Sequence, residues 1–330
     1  MNQTQRRRIL LATDLSARCD RAFERTVLLA REWEARLTVV HVLERHDEQL
    51  DHGSNLSWRR TDCARLIAES KILDGLQRAG IVADVVVRRG SPADVIVRLA
   101  RDMSCDLIVT GIARNVSLAR AILGSTLEAL ARERIAPVLI VKCSARSSYR
   151  SAVVGMEFSK GSRAAIQATV ELFPETIVTT LHAYRSPLEG LGAEEATDNA
   201  ARRHVMDECI RFVTDAVPAK WQEIRCLTER GWPEMLLNQY ALDREVDLIA
   251  VGTETRNSIA TFLLGSVSRS LILSSPCDLL LVPAEWTLSA RNTSARRTNS
   301  DWRAGSRTFE AETYEAYATA DAQKAARMIH

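Results

Sequence analysis

Two stretches of this chain carry the residue types that hold a phosphate. GIARNVSLARAILGS runs from Gly111 to Ser125, and GTETRNSIATFLLGS runs from Gly252 to Ser266. Each opens on a glycine after an apolar run and closes on Gly-Ser at the start of a helix-like segment. Exposed amides at a helix start favour anions, and glycine lets a phosphate approach the backbone closely. In the first stretch Gly124, Ser125 and Thr126 supply that combination. Thr13 and Asp14 close the first strand-like run, and a carboxylate there suits ribose hydroxyls or an adenine edge. The chemistry is that of a nucleotide site built from backbone. The chain has neither GxxxxGK[ST] nor a GxGxxG after its first strand. It also has no Ser-His-Asp order, no HExxH and no paired carboxylates in one recognisable site, so catalysis has no sequence support.

Plainer readings stand beside these. Gly124-Ser125 and Gly265-Ser266 also suit tight strand-to-helix turns with a serine cap and no ligand. Asp14 equally suits an N-cap for a helix beginning near Ala17. His41 and His182 read as strand-end residues packed on a neighbouring loop. HDEQLDH, from His46 to His52, gathers histidines and acids without a recognised metal-ligand spacing, and reads as a solvated loop. The seven cysteines form no CxxC pair, which suits reduced thiols in a cytosol.

The elements that must position these residues come in two sets. The two loops lie 141 positions apart, and the same offset carries Arg88–Gly111 onto Glu229–Gly252 without a gap. Gly90 falls on Gly231, Pro92 on Pro233, and Asp106 on Asp247. Nearer the start of each half the offset is 143, with Ile9–Ser16 falling on Ala152–Ser159. The chain is a tandem duplication.

Within the first half the strand candidates are Ile9–Thr13, Leu37–Val42, Val82–Val87, Asp106–Thr110 and Val138–Val141. The second half repeats them at Ala152–Gly155, Ile177–His182, Glu223–Leu227, Asp247–Val251 and Leu279–Val282. Nearly all-apolar strands imply a parallel sheet buried on both faces by helices. The expectation is an α/β fold of two tandem, doubly wound, open five-stranded parallel sheets of order 3-2-1-4-5. In that order the ligand crevice lies between the first and fourth strands. The domains read as residues 1–147 and 148–284. Residues 285–330 form a polar, Arg-rich tail that reads as disordered.

A net charge of +2 argues against nucleic acid as the main partner. No apolar run approaches the roughly 20 residues of a membrane span, and the cytoplasm is the expected location. The apolar runs APVLIV and CDLLLV would leave exposed sheet edges, so a pseudo-two-fold contact between the halves is expected through the fifth strands.

In both halves these residues resemble the universal stress protein family, in its tandem two-domain form. The resemblance spans about Arg8–Cys143 and Ser151–Pro283. Nucleotide-binding members carry G-x2-G-x9-G-[S/T]. Gly111 and Gly124-Ser125 match its ends, as do Gly252 and Gly265-Ser266, while Arg114 and Thr255 stand at the middle glycine. The resemblance implies that Asp14 faces the adenosine and Val42 meets the adenine. Gly111, Gly124, Ser125 and Thr126 would then cradle the phosphates, with ATP or another adenine nucleotide as ligand. Arg114 could fill the phosphate space or pair with the phosphates. In the second half Glu157 replaces the aspartate, Ala183 stands for Val42, and Thr255 is β-branched. Nucleotide is therefore expected in the N-terminal half only, in a non-catalytic stress-response protein. The alternatives are a nucleotide-independent scaffold with two vestigial sites, and a weak ATP hydrolase.

Overall fold

The computed structural model describes residues 6–44, 62–112, 116–117, 120–121, 125–184, 195–253, 264–286 and 307–309. The first half runs β1 (Arg8–Thr13), α1 (Ala17–Glu32), β2 (Arg36–Leu43), α2 (Asp62–Ala79), β3 (Ala83–Arg89), α3 (Pro92–Met103) and β4 (Leu107–Thr110). A short hairpin, β5 (Val116–Ser117) and β6 (Arg120–Ala121), precedes α4 (Ser125–Glu133) and β7 (Val138–Ile140). The second half runs β8 (Ser151–Met156), α5 (Lys160–Leu172), β9 (Ile177–Tyr184), α6 (Glu195–Ala216) and β10 (Arg225–Arg230). It ends with α7 (Pro233–Asp243), β11 (Leu248–Thr253), α8 (Ser266–Ser274) and β12 (Asp278–Pro283).

Local chemistry accounts for these boundaries. In α3, Pro92 opens the helix, Ser91 accepts a bond from the Asp94 amide, and Ile96, Leu99, Ala100 and Met103 form the buried stripe. Left-handed Ser104 ends it, and Glu245, its repeat equivalent, is left-handed at the same place in the second half. The duplicated aspartates tie strand starts together. Asp106 accepts from the Arg8 amide at 2.7 Å, and Asp247 accepts from the Arg150 and Ser151 amides at 2.8 and 3.1 Å. The third strand of the second half begins later than the sequence pattern suggests. Glu223 belongs to a 3-10 turn, Trp221–Glu223, because this outer strand is largely exposed and its apolar alternation is weak.

Each half has the order 3-2-1-4-5, but the two do not remain separate sheets. They fuse into one sheet of eleven strands, β10-β9-β8-β11-β12-β7-β4-β1-β2-β3-β13. Side chains alternate between two cores. Ile9 and Leu11 face α1 and α2, Leu10 and Ala12 face α3 and α4, and the second half does likewise. Within the tail that reads as structureless, β13 (Arg307–Phe309) pairs antiparallel with β3; the rest beyond Trp286 lies outside the described residues.

The fusion is antiparallel, β7 on β12, with Leu139 opposite Leu280 and flanking pairs Ile140–Leu279 and Val138–Leu281. Leu139 and Leu280 are repeat equivalents, so a pseudo-two-fold axis passes between them. Glu128 on α4 and Arg269 on α8, also equivalents, form an ion pair across this axis at 3.3 Å.

Beside the axis lies a buried polar cluster with no counterpart on the other side. Asp278, fully buried, accepts from the amides of Lys142 and Cys143 at 2.7 and 2.9 Å and from the Tyr149 hydroxyl at 2.6 Å. Arg25 Nε lies 3.5 Å from the same carboxylate, its guanidinium stacked 4.0 Å over the Tyr149 ring. Lys142 reaches into the second half and donates to the Leu271 and Ser275 carbonyls at the end of α8, where the helix dipole favours a donor.

Buried thiols, one beside this cluster and one on α6, set an alkaline limit. Burial pushes the Cys209 and Cys277 thiols up to about 12, with Cys226 adding to the first shift and Asp278 to the second. In the unfolded chain a thiol ionises near pH ~8.5, so its stabilising contribution is complete below that and is lost as pH rises towards the folded value. Lys142 runs the other way. Burial lowers its ammonium to about 8, so its contribution improves above that pH, and the neutral amine can still donate to both carbonyls. Two thiols outweigh one lysine. Burial raises Cys19, Cys143 and Cys226 in the same direction, so denaturant titrations should show stability falling as pH climbs from about 9 towards 11. Stability that stays flat over that interval would contradict this account.

Candidate functional site

The first-half crevice is built by register. Thr13 at the end of β1 is level with His41 in β2, and Ala12 is level with Thr110 in β4. Thr13, Asp14, Val42 and Gly111 therefore share one end of the sheet. Val42 packs partly buried against the α3 side, and Gly111 is buried. Ser125 opens α4, and Thr126 follows half-buried in its first turn. Arg114 and Gly124 lie outside the described residues, as do Thr255 and the His46–His52 stretch.

Asp14 is held in a tight turn. Its Oδ1 accepts from the Ser16 amide at 2.9 Å and the Ser16 hydroxyl at 2.6 Å, while Thr13 Oγ1 accepts from the Leu15 amide. Leu15 sits at φ 58°, and its equivalent Phe158 adopts the same φ. This conformation costs a non-glycine residue about 1–2 kcal/mol, so the surrounding contacts must hold the turn in both halves. The two histidines brace it. His41 Nδ1 donates to the Thr13 carbonyl at 2.9 Å, and His182 Nδ1 to the Met156 carbonyl at 2.8 Å.

The second crevice departs from this pattern. Glu157, one carbon longer than aspartate, keeps the Ser159 hydroxyl at 3.3 Å but not the Ser159 amide; Ser162 Oγ takes the Glu157 and Ser159 amides instead. Phe158 stacks on His182 with ring centroids 4.5 Å apart and meets Phe212 edge-on. Most telling is Gly252. A methyl there would fall on the Gly161 backbone, 2.6 Å from its α-carbon and closer still to its carbonyl. The first turn of α5 thus lies directly on the end of β11, where the crevice between β8 and β11 should open. Arg18 holds the equivalent helical position in the first half, so the approach of two bare α-carbons belongs to the second half. Gly265, by contrast, faces open space: an added methyl meets nothing within 4 Å.

Two doubly wound units with a crevice at each switch point define a class of α/β proteins whose ligand sites lie beyond the strand ends. The model of the universal stress protein family matches residues 5–142 and 148–283. The chain belongs to that family, as a tandem pair. A Staphylococcus aureus protein assigned to the universal stress proteins is 31% identical over 140 residues, covering 41% of this chain and 82% of its own. The crystal structure of an Archaeoglobus fulgidus universal stress protein superposes with a TM-score of 0.59 at 21% identity, covering 85% of this chain and 99% of the other. A functionally unknown Pseudomonas aeruginosa protein gives 0.60 at 17% identity, covering 84% and 93%. Both likenesses extend over the paired units and speak to the fold.

Sequence reasoning missed the Asp278–Arg25–Tyr149–Lys142 cluster. The one available signal was Asp278 itself, a carboxylate opening an otherwise apolar final strand where the first half has Pro137. Among the described residues, no helix is long and apolar enough to cross a membrane.

Proposed function

We propose that this tandem protein is a cytoplasmic, non-catalytic stress-response protein whose N-terminal half binds ATP or another adenine nucleotide. Thr13, Asp14 and Val42 would meet the nucleoside. Gly111, Arg114, Gly124, Ser125 and Thr126 would surround the phosphates. The observation that supports placing the ligand in this half is the packing of Gly161 on Gly252. It gives the second loop's first glycine a packing role that needs no ligand. The bond from Ser16 to Asp14 favours a second reading, in which that carboxylate is spent on its own turn and both halves serve as a scaffold.

Calorimetric titration of ATP separates the two. Gly124→Val should put methyls into the phosphate space and weaken binding by about tenfold or more. Gly265→Val should leave affinity unaltered, since its side chain enters open space. The sign of the change in Arg114→Ala then assigns the guanidinium, weaker for a phosphate partner and tighter for a plug. The scaffold reading predicts no heat from any variant, or from the wild type. ATP hydrolysis abolished by Gly124→Val would overturn the non-catalytic role.

A further inference from the structure

A cleft of about 390 Å³ lies beneath the linker that joins the halves, between residues 143–150 and the end of α7. That volume suits a small ligand. One wall is basic, carrying Arg25, Arg146 and Arg150 with Ser144 beside them. Arg25 is 5% exposed, and its Nη1 donates to the Ser147 carbonyl at 2.7 Å. Its Nε is buried without a hydrogen-bond partner, at ion-pair distance from Asp278. Its charge is thus met from within by Asp278, and towards the cleft it adds positive potential behind the two linker arginines. Arg150 is largely exposed, 3.9 Å from Asp247, and Arg146 is exposed with no ion pair among the described residues.

The facing wall is mixed. Leu242, 59% exposed, and Pro276 offer apolar surface. Asp247 already accepts two amides, which leaves Glu245 as the acid that a ligand would meet. We propose that this cleft binds a small phosphate-bearing metabolite, its phosphoryl group on Arg146 and Arg150 with Arg25 adding positive potential from behind, and its carbon skeleton on Leu242. A phosphoryl group carries more charge and more acceptor oxygens than a carboxylate, and so suits two guanidinium groups on one wall. Glu245, on the facing wall, disfavours a second anionic group on the ligand.

The test is titration of inorganic phosphate into the full chain at constant ionic strength, followed by calorimetry, with chloride as control. The expected result is a phosphate site at this cleft, distinct from any in the first-half crevice and weakened about tenfold or more by Arg146→Ala/Arg150→Ala. Both residues are exposed, so the double variant should fold. Glu245→Gln should tighten binding by removing a like charge, and Gly124→Val should leave it unchanged. The proposal is overturned if phosphate does not bind, if the arginine variant binds equally well, or if chloride competes equally. It is also overturned if only Gly124→Val abolishes binding, since the phosphate then belongs to the first-half crevice.

Discussion

Asp278→Ala should cost about 3–5 kcal/mol of folding stability, because it breaks a buried ion pair from one side. The carboxylate ends four interactions at once: two linker amides, the Tyr149 hydroxyl and the Arg25 guanidinium. Its loss leaves Arg25 charged in a space 5% exposed to solvent, and leaves two amides seeking acceptors. The cost lies in the stranded partners rather than in the attraction itself. Arg25→Met should therefore recover part of the loss when combined with Asp278→Ala, and Asp278→Asn should cost less because its carbonyl oxygen can still accept the two amides. Urea denaturation of the single and double variants measures the coupling. A loss below about 1 kcal/mol in Asp278→Ala would show that the cluster does not hold the halves together.

Gly252→Ala is the second substitution with a large expected effect. The added methyl meets backbone atoms of Gly161 well inside contact distance, and a backbone cannot rotate aside as a flexible side chain can. The cost should reach the upper end of the roughly 1–3 kcal/mol typical of overpacking. Gly265→Ala, whose methyl meets nothing within 4 Å, is the control and should be near neutral. If Gly252 instead served a ligand in the second half, its replacement would lower nucleotide affinity while leaving stability intact. Thermal unfolding and ATP titration of the same variant distinguish these outcomes.

Much of the fold was legible because the duplication states each element twice. Periodic apolar strands, Gly90 and Pro92, and the paired aspartates each recur at a fixed offset. The structure gives Asp106 and Asp247 the same task of tying a strand start. The late start of β10 was not legible, since an exposed outer strand imposes little alternation. Of the site, the level placing of Thr13, Val42 and Gly111 followed from the strand order. The burial of Gly252 under Gly161 did not, because a glycine kept for packing and one kept for phosphate look alike in sequence. The junction cluster was hidden for another reason. It joins Arg25, Lys142, Tyr149 and Asp278 from distant parts of the chain, and it has no repeat to betray it.

The ion pair between Glu128 and Arg269 has a consequence for how the halves may differ. In a dimer of identical subunits, a position beside the axis faces itself, so either residue would confront its own charge. Here the same position can be acidic in one half and basic in the other. Lys142 and Asp278 extend the difference, facing proline at their equivalents, Pro283 and Pro137. Each half is thus fitted to its sibling and poorly fitted to its own double. A molecule assembled in this way fixes its stoichiometry by covalent linkage. One half can change its packing at the strand ends without imposing the same change on the other, since a substitution in one half is not copied into its sibling.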